Sequence, residues 1–198
     1  MKVIIYSQRV EIVKSYNERR DCADQKIPEL INECGYLPVP IPNINVGREY
    51  IDEIEPAGII LTGGNSLVCC GGEAPERDET DLELIQLAIE KDIPIYGFCR
   101  GMQSILHYFG EKIVEVNNHV AVHHNVTGEI QENVNSYHNQ GCVELSGLTG
   151  LVALAKTEDG VIEFIGHKTY KIMGTMWHPE REYPFRESDI NRIKQFFN

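Results

Sequence analysis

The sequence predicts an α/β protein: a doubly wound, mostly parallel central sheet flanked by helices, with additional antiparallel β segments in its second half. Three observations carry this prediction. Short, continuously apolar runs at 3–6, 57–61 and 94–98 have the length and composition of buried parallel strands. Helical patterns lie between and after them, most clearly Met102, Ile105, Leu106 and Phe109 at i, i+3, i+4 and i+7. From Lys112 onward the pattern changes to short alternating segments.

The elements follow in order. Residues 3–6 read as a first strand and 24–34 as a first helix closed by Gly35. Leu37–Ile41 carries prolines and reads as a strand at a sheet edge. The run at 57–61 enters the turn Thr62-Gly63-Gly64, and 78–91 places Leu82, Ile85 and Ile89 at helical spacing. Pro94 to Phe98 is a further buried strand leading into the Met102 helix. Val120/Val122, Val143/Leu145, Val152/Leu154, Ile162/Phe164 and Ile172 mark later strands, and Ile190, Ile193, Phe196 and Phe197 a terminal helix.

A chain of 198 residues supports one sizeable core, and no linker, repeat or low-complexity tract divides it, so residues 1–198 are expected to form one domain. No run approaches a membrane span, and the apolar start is too short for a signal peptide, which points to the cytoplasm. A net charge of −12 argues against nucleic acid or an anionic membrane as partner. The six cysteines lack C-x-x-C spacing, so most should be reduced and buried, with Cys69-Cys70 as loop thiols.

The segment from Ile95 to Gln103 carries the most chemistry. Cys99 lies between a buried strand and an amphipathic helix, with Gly97 and Gly101 two residues to either side. A nucleophile on such a strand-to-helix elbow needs small neighbours, because the chain must pass close to itself. The helix N-terminus favours thiolate over thiol, and the Arg100 N–H is placed to stabilise an oxyanion. An ordinary buried cysteine at a strand end is the bland alternative, which the paired glycines disfavour.

A thiolate acting on an amide needs a proton donor for the leaving amine. Of seven histidines, His178 has the best setting: it follows a predicted strand over 171–176, Pro179 stiffens the turn, and Glu180 is placed to fix its tautomer. Gly64 could complete the oxyanion hole from its turn. Gln103, one helical turn beyond Cys99, could bind substrate, though a solvated glutamine is the commoner case. In His119-Val120-Ala121-Val122-His123-His124, a regular strand would put His119 and His123 on one face. No Asp, Glu or Cys lies at ligand spacing, so no metal is expected.

Together these blocks resemble the class I glutamine amidotransferase-like superfamily, and within it the γ-glutamyl hydrolase branch. The resemblance runs through Gly58 to Gly64, Glu76-Arg77-Asp78, Gly97 to Gln103, Val134 to Gln140, Gly160 to Glu163 and Trp177-His178-Pro179-Glu180. It implies a Cys99–His178–Glu180 triad working through a glutamyl thioester, without metal or organic cofactor. It also implies that Gln103 and the Ser136-Tyr137 backbone hold the γ-glutamyl moiety. Arginine directly after the cysteine is similar to the free-standing hydrolases. The length and the Ser7-Gln8-Arg9 opening are similar to a branch member that releases a nucleotide amidate in capsule phosphoramidate synthesis.

The leaving group is the harder question. Arg9, Arg19 and Arg20 form a basic cluster near the N-terminus, read either as an anion-binding rim for a nucleotide leaving group or as solvated arginines paired with Glu11, Glu18 and Asp21. The expected partner is thus a small γ-glutamyl substrate, with homodimerisation left open. Two other classes compete: a glutaminase subunit passing ammonia to a separate synthetase, and a catalytically silent binding protein. The presence of both Cys99 and His178 disfavours the second.

Overall fold

A computed structural model describes residues 1–198. The elements in chain order are β1 (Val3–Ser7), β2 (Arg9–Val13), β3 (Glu18–Cys22), α1 (Lys26–Glu33), β4 (Leu37–Ile41), α2 (Gly47–Ile54), β5 (Gly58–Leu61), α3 (Pro75–Glu90), β6 (Ile95–Phe98) and α4 (Arg100–Tyr108). Then come β7 (Val114–Glu115), β8 (Val120–Gly128), β9 (Gln131–Tyr137), β10 (Gln140–Gly141), β11 (Leu151–Thr157), β12 (Ile162–His167), β13 (Ile172–Thr175) and α5 (Glu187–Phe197).

Nine strands form one sheet in the order β4-β1-β5-β6-β13-β12-β11-β8-β9. The run from β4 to β13 is parallel, and the run from β13 to β9 is antiparallel. The sequence predicts this division, with β4 and its prolines at the edge. No helix is long and apolar enough to cross a membrane.

Alternation along the central strands builds two cores. Ile5, Ile59 and Ile95 pack with Ile51 of α2, Leu84 of α3 and Ile105 of α4 on one face. Their neighbours Ile4, Ile60 and Tyr96 pack with Leu30 of α1 and Phe197 of α5 on the other. Adjacent strand residues point to opposite faces, so a fully apolar strand is the one that feeds both layers.

Three differences from the sequence expectations matter. Residues 9–22, which the sequence assigns to no element, form a β2–β3 hairpin, and α2 likewise has no counterpart among the predicted elements. Val143 and Leu145 are not in a strand. The chain bends there, and the Glu111 carboxylate accepts from the Ser146 N–H and hydroxyl, which replaces ladder bonding. All six cysteines are free thiols: Cys34, Cys99 and Cys142 are buried, and Cys69 is exposed.

Candidate active site

Three neighbouring parallel strands, β5, β6 and β13, deliver the candidate residues at their carboxyl ends. This is the end of an open α/β sheet where ligands bind. The turn Thr62-Gly63-Gly64 follows β5, Cys99 follows β6, and His178 lies three residues past β13.

Cys99 is 7% exposed and has φ +51° and ψ −110°, a left-handed conformation that costs a residue with a side chain on the order of 1–3 kcal/mol. Its N–H donates to Thr175 O at 2.7 Å and its carbonyl accepts from Gln103 N at 3.1 Å, so strand and helix grip it from both sides. The flanking glycines are sterically required. A Cβ on Gly97 would lie 2.5 Å from the Gly101 carbonyl carbon, and one on Gly101 would lie 2.1 Å from Leu61 O. Arg100 opens α4, where N–H groups have no intrahelical acceptor. Its buried side chain pairs with Asp78 and Asp81 and anchors α4 to α3.

His178 is buried, and its Nδ1 donates to Glu180 Oε1 at 2.7 Å. Its ring meets Phe98 edge-on at 6.1 Å and Tyr137 at 5.7 Å. The Asn135 amide grips the backbone, donating to His178 O and accepting from His178 N, both at 2.9 Å. Gly63 completes the fit, because a Cβ there would lie 2.6 Å from His178 Cε1 and 3.6 Å from Cys99 Cβ. Burial alone would lower the His178 pKa. The charge and hydrogen bond of Cys99, joined by those of Glu180, outweigh it and push it up to about 10.

The Gly63-Gly64 turn is clamped by Arg77, which is fully buried. Its guanidinium donates to Thr62 O at 2.7 Å, to Gly63 O at 3.0 Å and to Gly64 O. Burial and the nearby Arg100 charge bring the Arg77 pKa down to about 9. In the sequence Arg77 belongs to a matching block but carries no evident role. The signal that could have given it one is an arginine in the first turn of a helix that begins beside a glycine turn.

A cavity of about 180 Å³ opens beside Cys99, lined by Gly64, Arg100, Gln103, Tyr137 and His178 among others. Gln103 is buried rather than solvated, and its Nε2 donates to Gln140 O at 2.9 Å. Ser136 lies behind the wall, its hydroxyl donating to His119 O at 2.6 Å. Arg181, which no sequence signal singles out, stacks on Tyr137 at 4.2 Å at the cavity rim. Asn65 and Ser66 lead from this cavity into a larger recess of about 420 Å³, which Arg9 also lines.

The three N-terminal arginines do not form one cluster. Arg19 and Arg20 are adjacent on β3 and so point to opposite faces of the hairpin. Arg19 donates to Glu76 at 2.6 Å and to Glu73 O at 2.9 Å, and Arg20 pairs with Glu18 at 2.9 Å. Arg9 alone of the three lies against Gly64, and it shares a crevice with His178 and Arg181.

The histidine segment also departs from the regular strand. Ala121 has φ +54° and a bulge separates the Val120 and Val122 registers. The inserted residue shifts every later side chain by one. His123 therefore faces solvent near Glu182 (3.2 Å), and His124 joins His119 instead. The fold brings a carboxylate to them from β12, namely Glu163, together with His138. Burial would raise the Glu163 pKa, but the three histidines outweigh it and hold it well below the usual carboxylate range.

Fold and site together define a class of α/β proteins in which a cysteine on a strand-to-helix elbow faces a buried histidine–carboxylate pair across a glycine turn. The chain belongs to the glutamine amidotransferase class-I family, whose family model matches residues 21–197. It is 32% identical to the γ-glutamyl-CDP-amidate hydrolase of Campylobacter jejuni over 97% of this chain and 96% of that protein. The γ-glutamyl-γ-aminobutyrate hydrolase of Escherichia coli O157:H7 is 27% identical over 91% of this chain and 88% of its own. A Thermoplasma acidophilum protein provisionally assigned to GMP synthase, known from a crystal structure, shares the fold with a TM-score of 0.76 at 19% identity. That match covers 100% of this chain and 93% of the other.

Proposed function

We propose that this chain, acting as one domain over residues 1–198, hydrolyses a γ-glutamyl amide with Cys99 as nucleophile, His178 as acid and base, and Glu180 as the orienting carboxylate. The observation that carries this reading is the buried 2.7 Å His178–Glu180 bond with Cys99 close enough to the imidazole to raise its pKa and to share the contact with Gly63. The Cys99 sulfur attacks the γ-carbonyl carbon, and the Arg100 and Gly64 N–H groups stabilise the oxyanion. Protonated His178 gives its proton to the leaving nitrogen as the C–N bond breaks, which leaves a glutamyl thioester. Neutral His178 then takes a proton from water as the resulting hydroxide attacks the thioester, and expulsion of the Cys99 thiolate releases glutamate and restores the thiolate–imidazolium pair. The cycle uses only the chain's own groups.

Gln103 spends its amide N–H on Gln140, so it offers Oε1 as an acceptor suited to the substrate's α-ammonium. The Ser136-Tyr137 backbone takes the α-carboxylate. For the leaving group, the 420 Å³ recess and the two exposed cations Arg9 and Arg181 suit an anionic, nucleotide-sized amine. The name of the C. jejuni relative supports γ-glutamyl-CDP-amidate as substrate; capsule phosphoramidate synthesis is the setting we propose for that reaction.

The test is glutamate release from γ-glutamyl amides carrying aliphatic amine, amino acid and nucleotide leaving groups. The reading expects turnover by the chain alone, with the highest kcat/KM for the nucleotide. Glutamine cleavage that appears only when a synthetase is added would replace it with a glutaminase-subunit role.

A further inference from the structure

We propose that His119, His124 and Glu163 form a site for a divalent transition-metal ion of the zinc class, one layer behind the substrate cavity. The proposal does not rest on the hydrolase reading. His119 and Glu163 are buried, and His124 is mostly so (16% side-chain exposure). Their ligand atoms all lie within 4.8 Å of one another. His119 Nδ1 stands 3.4 Å from Glu163 Oε1, and His124 Nε2 stands 3.5 Å from Oε2. Of these, the His124 Nε2–Oε2 pair involves the oxygen left free, and its spacing is close to the roughly 3.4 Å between two ligand atoms on a tetrahedral zinc ion.

Neither contact is a hydrogen bond. His119 Nδ1, His124 Nε2 and Glu163 Oε2 are all buried without a partner. The reason lies in what the other atoms do. His119 Nε2 faces Asp159 Oδ2 at 3.0 Å, an acceptor, so it carries the ring proton and a neutral imidazole presents a lone pair at Nδ1. Glu163 Oε1 is within 3.2 Å of His138 Nε2, which leaves Oε2 free. His119 Nδ1 and Glu163 Oε2 thus face a common buried spot beside the unpartnered His124 Nε2, and a cation bound there satisfies all three atoms.

The surroundings match the outer shell of metal sites. Asp159 orients His119 and His138 orients Glu163, as carboxylate–histidine pairs do around bound zinc. A polar recess lined by Asn118, Asn125 and Thr157 adjoins His119 and His124 and gives an ion both an entry path and room for a water as fourth ligand. An ion here would tie β8 to β12 and, through the Ser136–His119 bond, stiffen the strand that carries Tyr137 into the cavity.

The experiment is a calorimetric titration of the chelator-treated chain with Zn²⁺, repeated with Co²⁺ and read by absorption. One equivalent should bind, with a tetrahedral cobalt spectrum and a raised Tm. His124→Gln, at a partly exposed position, should fold normally and weaken binding at least ~10-fold, as should Glu163→Gln. A Cys69→Ser, Cys70→Ser, Cys99→Ser triple variant should bind as tightly as wild type. Absence of binding, affinity unchanged in His124→Gln, or loss of binding in the cysteine variant would each overturn the site.

Discussion

Glu180 Oε1 accepts from His178 Nδ1 at 2.7 Å with both side chains 3% exposed, so the imidazole is locked in one tautomer before substrate arrives. A tight turn through Pro179 carries both His178, the proposed base, and Glu180, its proposed orienting group, and the Asn135 amide holds the same turn from β9. Glu180→Gln should keep the fold and lower kcat by ~10²–10⁴ with a smaller change in KM, measured by glutamate release.

The same pair sets a pH dependence. His178 is raised from 6.5 to about 10, so the stability it contributes is complete below the unfolded value of 6.5 and is lost as pH rises through about 10. The gap in unfolding free energy between wild type and Glu180→Gln should therefore be widest near pH 6.5 and narrow towards pH 10, by urea denaturation. If His178 is the acid proposed above, acylation by wild type should fall on its alkaline limb over the same upper range, as His178 loses its proton.

Gly63 predicts a purely positional defect. Its added Cβ would overlap His178 Cε1 and press on Cys99, so Gly63→Ala should displace the imidazole by some tenths of an ångström. A loss in kcat of at least ~10-fold with KM nearly unchanged is expected, since small misplacements of this kind cost up to ~10² in rate.

Arg77 holds the carbonyls of Thr62, Gly63 and Gly64 from a fully buried position. Arg77→Met leaves those acceptors dry and removes a positive charge from near Asp78 and Asp81, the partners of Arg100. Chemical denaturation should show a loss of about 3–5 kcal/mol.

The arginines separate by position. Arg9→Ala and Arg181→Ala should raise KM for a γ-glutamyl nucleotide amidate ~10-fold while barely altering a simple γ-glutamyl amide. Arg20→Ala, whose side chain is paired with Glu18 on the exposed hairpin, should leave both unchanged. Equal effects on the two substrates for Arg9 would refute a nucleotide subsite.

The elements that build the elbow are legible because their signals are local. Apolar runs mark β5 and β6, Gly97 and Gly101 have no steric alternative, and Pro179 fixes the turn after His178. The features that escape sequence reading depend on distant partners. Nothing near Glu163 in sequence says that a bulge at Ala121 rotates His124 towards it. Three arginines within twelve residues read as a patch until the hairpin register sends Arg19 and Arg20 to opposite faces. Arg181 gains its place only because β9 brings Tyr137 beneath it.

The most direct measurement is active-site labelling. A γ-electrophilic glutamine analogue, such as a diazoketone, is added to the intact chain and the product is mapped by peptide mass spectrometry. Cys99 as nucleophile predicts a single thioether adduct on Cys99, formed when the diazo carbon takes a proton and the sulfur displaces N2 from it, and abolished in Cys99→Ala together with glutamate release. An adduct on exposed Cys69, or hydrolysis that persists in Cys99→Ala, would contradict it.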